Sequence, residues 1–164
     1  MSPAKVISFW EGKLELDNSC HEGICRRFEY FRRKARLYAR NRFYSDAVVW
    51  HEKAFEFGLQ HKDHIERKDI HNAAWVAVEF AFDLTRGDRN FWTPIWIARK
   101  CIDHLHADEW DTHQSVCLAW LIIREYKQFL GMMPLDAKAA LYMLEHKTKQ
   151  YPTFGYEGQT PLLP

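Results

Sequence analysis

The chain has 164 residues, 47% of them hydrophobic and 15% aromatic, which is ample for one buried core and well away from the composition of a disordered segment. Its formal net charge of +1 hides an asymmetry: residues 1–44 carry ten Lys/Arg against five Asp/Glu, and residues 45–164 carry thirteen against seventeen. No apolar run approaches the roughly 20 residues needed to cross a bilayer, so no membrane is expected.

Apolar period, caps and breakers predict about seven helices and no strand. The first, about 3–16, opens at Ser2-Pro3, with Pro in the first turn. The second, about 20–41, follows a capping box of Ser19 and Glu22. On a helical wheel Ile24, Phe28, Phe31, Ala35 and Tyr38 fall within an arc of about 80° that reads as a core stripe. Arg26, Arg33, Arg36 and Arg40 lie opposite as a basic ridge with Tyr30 and Leu37 at its edge, while Arg27, Arg32 and Lys34 flank the stripe. Arg42 would point into the core if the helix continued, so the helix should end near Asn41.

A third helix is expected from Ser45 to Gly58. His51 sits in its apolar arc between Trp50 and Phe55 and reads as a core histidine; a general base would need a nucleophile or paired acid beside it. The fourth helix, about 64–86, begins with Asp63 and Glu66 as a capping box and stops at Gly87. Lys68, Asn72, Glu79, Asp83 and Arg86 occupy one narrow strip and the rest from Ile70 to Leu84 is largely apolar, which marks the helix as buried on most sides. Pro94 would remove a hydrogen bond deep in a helix, so Thr93 is read as the cap of a fifth helix, about 94–106. Its core face is Ile95, Ile97, Ala98, Cys101, Ile102 and Leu105. Trp96 falls opposite among Arg99, Lys100 and Asp103, with Trp92 just before it on the same side. Aromatics on a charged face are a mark of interaction surfaces. Asp111 with Gln114 opens the sixth helix, about 112–130, closed by Gly131, and Pro134 opens the seventh, about 134–148. Residues 151–164, YPTFGYEGQTPLLP, read as a loop or loosely ordered tail after a single helical domain at 1–150.

Taken in order, the second to seventh helices pair as three hairpins, starting near 20, 64 and 112. That spacing suits a solenoid-like array, and a compact bundle is the alternative. Within residues 31–58, Ala35, Tyr38, Tyr44, Ala47 and Ala54 fall at the small and aromatic positions of a helix pair that resembles a tetratricopeptide unit. Phe31 stands where that motif has tryptophan, and Leu59 where it has proline. The resemblance implies a scaffold for binding peptides or proteins.

Chemical signatures are sparse. Residues 103–113, DHLHADEWDTH, offer His and carboxylate ligands but match no spacing such as HExxH. His61, His64 and His71 are a second histidine group, with the last two on one helix face, yet two histidines do not complete a site. Cys20, Cys25, Cys101 and Cys117 are scattered, which suits reduced thiols in the cytoplasm. No Gly-rich phosphate loop, GxSxG elbow or paired-carboxylate motif is present. The expectation is therefore a non-enzymatic helical adaptor without cofactor or metal. Its partner-binding residues would be Arg26, Arg33, Arg36, Arg40, Trp92 and Trp96, facing a protein with an acidic surface. A small nucleic-acid-binding protein, or a helical subunit of a nucleoprotein complex, is the alternative.

Overall fold

The computed structural model describes residues 23–85 and 91–152, and its regular structure is helical, with no strand among the described residues. Among the described residues there are six α-helices: α1 Ile24–Arg40, α2 Tyr44–Gln60, α3 Arg67–Thr85, α4 Trp92–His104, α5 Glu109–Lys127 and α6 Leu135–Thr148. A 3₁₀ turn at Leu130–Met132 follows α5. The helix expected at 3–16, the Ser19/Glu22 capping box, Gly87 and tail residues 153–164 lie outside the described residues. The chain divides between Leu84 and Thr85 into two compact units.

In the first unit α1 packs along α2. Ala35, Ala47 and Ala54 are fully buried, and residues this small let two helices approach closely. α1 ends as expected at Asn41, in a geometry that explains Arg42. The Phe43 N–H donates to the Tyr38 carbonyl (3.0 Å) and the Arg42 N–H to the Ala39 carbonyl (3.1 Å). The Phe43 ring meets Tyr38 edge-on, with centroids 6.4 Å apart. These are the two bonds and the apolar contact of a Schellman cap, whose left-handed position is usually glycine. Here Arg42 occupies it, at φ 65°.

Gly58, expected to close its helix, lies inside α2 instead. A methyl group there would come within 3.0 Å of Ile70 Cγ1 and 3.2 Å of Phe28 Cε2. Glycine thus marks a close approach of three helices rather than a helix end. α3 starts at Arg67, later than expected, so the Asp63/Glu66 pair does not form its first turn; the Glu66 carbonyl accepts from the Asp69 and Ile70 N–H groups. As its composition implies, α3 buries Ile70, His71, Ala73, Ala74, Trp75, Ala77, Val78 and Ala81 and exposes Lys68, Asn72 and Glu79.

In the second unit α4, α5 and α6 pack against one another. α5 is the buried member, with eleven of its nineteen residues inside. The expected α4 core residues Ile95, Ile97, Ala98, Cys101, Ile102 and Leu105 are all buried. Three boundaries differ from expectation, each for a local reason. Pro94 sits one turn into α4, where its missing N–H is one that lacks an intrahelical partner anyway, so Thr93 is a first-turn residue and not the cap. α5 is capped by Asp108: its carboxylate accepts from the Asp111 N–H (2.7 Å), while Asp111 accepts from the Ala107 N–H (3.0 Å). Asp111 is thus the inner half of a reciprocal cap. Gly131 falls in the 3₁₀ turn after α5 and does not close it. Lys147 bonds Asp103 at 2.6 Å, tying α6 to α4, and the Tyr151 hydroxyl donates to the Ile102 carbonyl at 3.3 Å.

Candidate functional site: a basic ridge and the groove behind it

α1 carries seven basic residues and one acid, Glu29. Helical geometry places Arg36, Glu29, Arg40, Arg33 and Arg26 side by side along one strip, and all four arginines are exposed. Glu29 Oε1 lies 3.1 Å from Arg36 Nη1 and 3.9 Å from Arg33 Nε, and its other oxygen lies 3.9 Å from Arg32. One carboxylate therefore serves three guanidiniums, leaving the strip strongly positive. Arg33 and Arg36 keep 58% and 44% of their side chains in solvent.

The ridge is narrower than the wheel alone implies. Tyr30 and Leu37, expected at its edge, are buried, and so is Lys34, while Phe31 and Tyr38 are only half-buried. The Lys34 ammonium lies 3.9 Å from the centre of the Trp50 ring and 3.5 Å from the Tyr30 hydroxyl. Its charge is thus taken out of water onto an aromatic face, which the wheel cannot reveal.

On its other side the ridge falls into an open groove of ≈290 Å³, whose lining includes Arg32, Arg36 and Arg40 of α1, His51 of α2, and Asn72 and Phe80 of α3. Arg32 donates to Asn72 Oδ1 at 2.6 Å and lies 3.9 Å from Asp69, which holds this guanidinium across the helix pair. His51 is 4% exposed and stacks on Phe80 (centroids 5.5 Å apart, planes 12° apart). Phe80 in turn stacks on Tyr44, which is 43% exposed. Burial, reinforced by the charges of Arg32 and Arg36, pushes the His51 imidazole down to about 4, so the ring is neutral at physiological pH. Its Nδ1 is buried and has no hydrogen-bond partner among the described residues. His51 is thus the core histidine that its position in the sequence suggests, but it also lines a cationic groove. Arg32, Asn72 and Phe80 carry no signal in the sequence as site residues, because the groove joins positions 40 or more residues apart.

Trp92 and Trp96 lie one turn apart on α4, 47% and 50% exposed, with the Lys100 ammonium 4.8 Å from the centre of the Trp96 ring. Trp110, at the start of α5, is also exposed.

The histidine-rich segment has structural employment. His106 contacts the Ile102 carbonyl through Nε2 and Thr112 Oγ1 through Nδ1, and it stacks on Tyr151 with centroids 4.5 Å apart. Asp103 pairs with Lys147 and Arg99, and Asp108 and Asp111 cap α5. His64 precedes α3 and so shares no helix face with His71, which is buried. Among the described residues no three His, Cys, Asp or Glu side chains gather into a metal-binding group. Cys101 and Cys117 are buried and form no disulfide, and desolvation pushes both thiols up, Cys117 to about 12, away from the thiolate needed of a nucleophile. No described helix is long and apolar enough to cross a membrane.

Comparison with protein-family models, with curated proteins and with solved structures finds no match to this chain.

Proposed function

We propose that the chain is a non-enzymatic helical adaptor that takes an acidic segment of a protein partner on the α1 ridge. Trp92 and Trp96 supply a second contact surface. The observation that carries this reading is the charge imbalance on α1: four exposed arginines share one strip with a single carboxylate. Arginine forks suit carboxylates because two parallel N–H···O bonds form at once. The half-exposed tryptophans support it as large, pre-ordered apolar anchors. The tetratricopeptide-like pattern in residues 31–58, and an arrangement of paired helices as a short solenoid or bundle, belong to the same proposal. So does a reducing, cytoplasmic setting, in keeping with buried cysteines that form no disulfide.

A second reading, nucleic-acid binding, is favoured by Phe43 and Tyr44, exposed aromatics that follow directly on the ridge and offer faces for bases. Fluorescence anisotropy separates the two. A labelled Glu/Asp-rich dodecapeptide, a 12-nucleotide single-stranded RNA and a 20-base-pair duplex are titrated at low and physiological salt. The adaptor reading predicts saturable peptide binding that Arg33→Glu with Arg36→Glu abolishes. Preferential nucleic-acid binding replaces it with the second reading; on duplex DNA, four to six phosphate contacts give a slope of roughly −3.5 to −5.5 in log affinity against log salt. Binding of none of the three probes overturns both readings.

A further inference from the structure

We propose that the groove between α1 and α3 is a binding site for a phosphomonoester borne on a small, flat apolar group. This deepens the adaptor reading and rests on it for one of the two possible sources of the ligand, a phosphorylated side chain of the partner.

Three features of the groove converge on that chemistry. The first is charge. Arg32, Arg36 and Arg40 line it; Glu29 and Asp69 are the acids paired with the first two, and Arg40 makes no ion pair among the described residues. With a neutral imidazole the local sum is +3 − 2, a net positive site that a phosphate of about −1.5 to −2 converts to near neutrality or below. The second is the number of donors. One guanidinium fork saturates the two oxygens of a carboxylate, whereas three guanidiniums and an imidazole match the three terminal oxygens of a phosphate.

The third feature is His51. The ring lines the groove at 4% exposure, and its Nδ1 is buried and unpartnered, so a bond from that nitrogen to a ligand oxygen requires the ring to turn, which would relieve the desolvation cost it now carries. The burial and positive surroundings that keep the ring neutral also leave it able to accept as well as donate, so it serves either protonation state of a phosphate. Size sets the remaining limit. A volume of ≈290 Å³ is at the lower end of small-molecule sites, room for a head group and one ring, with Phe80 as the apolar wall.

The test uses the full chain and phenyl phosphate, with benzoate as the carboxylate control. Imidazole resonances of His51 are followed by NMR, and affinity is measured by calorimetry. Phenyl phosphate should shift the His51 signals and bind at least tenfold more tightly than benzoate. Arg36→Gln with Arg40→Gln, both exposed positions that do not endanger the fold, should weaken it tenfold or more. His51→Phe, which keeps a ring against Phe80, should weaken it severalfold. Unmoved His51 signals at millimolar phenyl phosphate, equal affinity for benzoate, or affinity indifferent to the arginine pair would each overturn the proposal.

Two further arms identify the source. Tighter binding of a phosphotyrosine peptide than of phenyl phosphate assigns the site to a phosphorylated partner; the reverse order assigns it to a free small aryl phosphate. Arg26→Gln with Arg33→Gln lies outside the groove and should leave phenyl phosphate affinity within about threefold while weakening the acidic peptide. Failure of the ridge and failure of the groove are thereby told apart.

Discussion

Replacing Gly58 by Ala tests whether three helices meet where the structure brings them together. In an exposed helix interior this change stabilises by about 1 kcal/mol through propensity. Here the new Cβ would stand 3.0 Å from Ile70 Cγ1 and 3.2 Å from Phe28 Cε2, against an ordinary carbon–carbon separation of about 3.5–4.0 Å. Ile70 is fully buried and Phe28 nearly so, so neither can yield without moving its helix. Overpacking of this kind costs about 1–3 kcal/mol, which outweighs the propensity gain and leaves a net loss of about 1 kcal/mol. For a chain of this length that lowers the thermal midpoint by about 2–4 °C. Differential scanning calorimetry of Gly58→Ala, alone and with Ile70→Ala, reads both terms. With the isoleucine truncated, the same substitution should become neutral or stabilising relative to Ile70→Ala alone. A single variant more stable than the parent by about 1 kcal/mol would refute the three-helix approach and, with it, the spacing of α1 and α3 that shapes the groove.

Arg42→Gly removes a non-glycine residue from the left-handed position of the α1 cap and should raise stability by about 0.5–1 kcal/mol in denaturant unfolding; Arg42→Ala should not. Asp108→Ala deletes the α5 cap and should cost about 1 kcal/mol by the same assay, with Asp108→Asn largely conserving it. His51 gives the fold a pH dependence whose sign is fixed. Its folded value is depressed, so the unfolded chain binds the proton more readily, and stability falls as pH drops from about 6.5 towards 4. The loss amounts to about 2–3 kcal/mol over that window. Unfolding midpoints at pH 7 and pH 4.5 should differ less in His51→Phe than in the parent.

The helices were legible because their apolar period is strong. The α4 core face was readable from Ile95 to Leu105, and the burial of α3 from its scarcity of polar positions. The ends were less so, because several residues satisfy the same local rule. Asp108 and Asp111 both suit a helix start, and only the fold assigns the first to Asp111 N–H and the second to Ala107 N–H. Gly58 obeys the rule for a terminator but serves a packing need set by Ile70, twelve residues on. The arginine ridge followed from a wheel, since exposure on one helix is a local property. The burial of Lys34 did not, because it depends on Trp50 of the next helix. The groove was invisible for the same reason: Arg32 reaches Asn72 across forty positions, and no spacing within one helix encodes that contact.

Whether the exposed strip of α1 binds an acidic partner segment is decided by the anisotropy titration of the Glu/Asp-rich peptide. Saturable binding is expected at physiological salt, and it should disappear in Arg33→Glu with Arg36→Glu while the helical circular dichroism is unchanged. Peptide affinity that is absent in the parent, or equal in the parent and the charge-reversed variant, would mean that the arginine strip is not a binding surface for acidic segments.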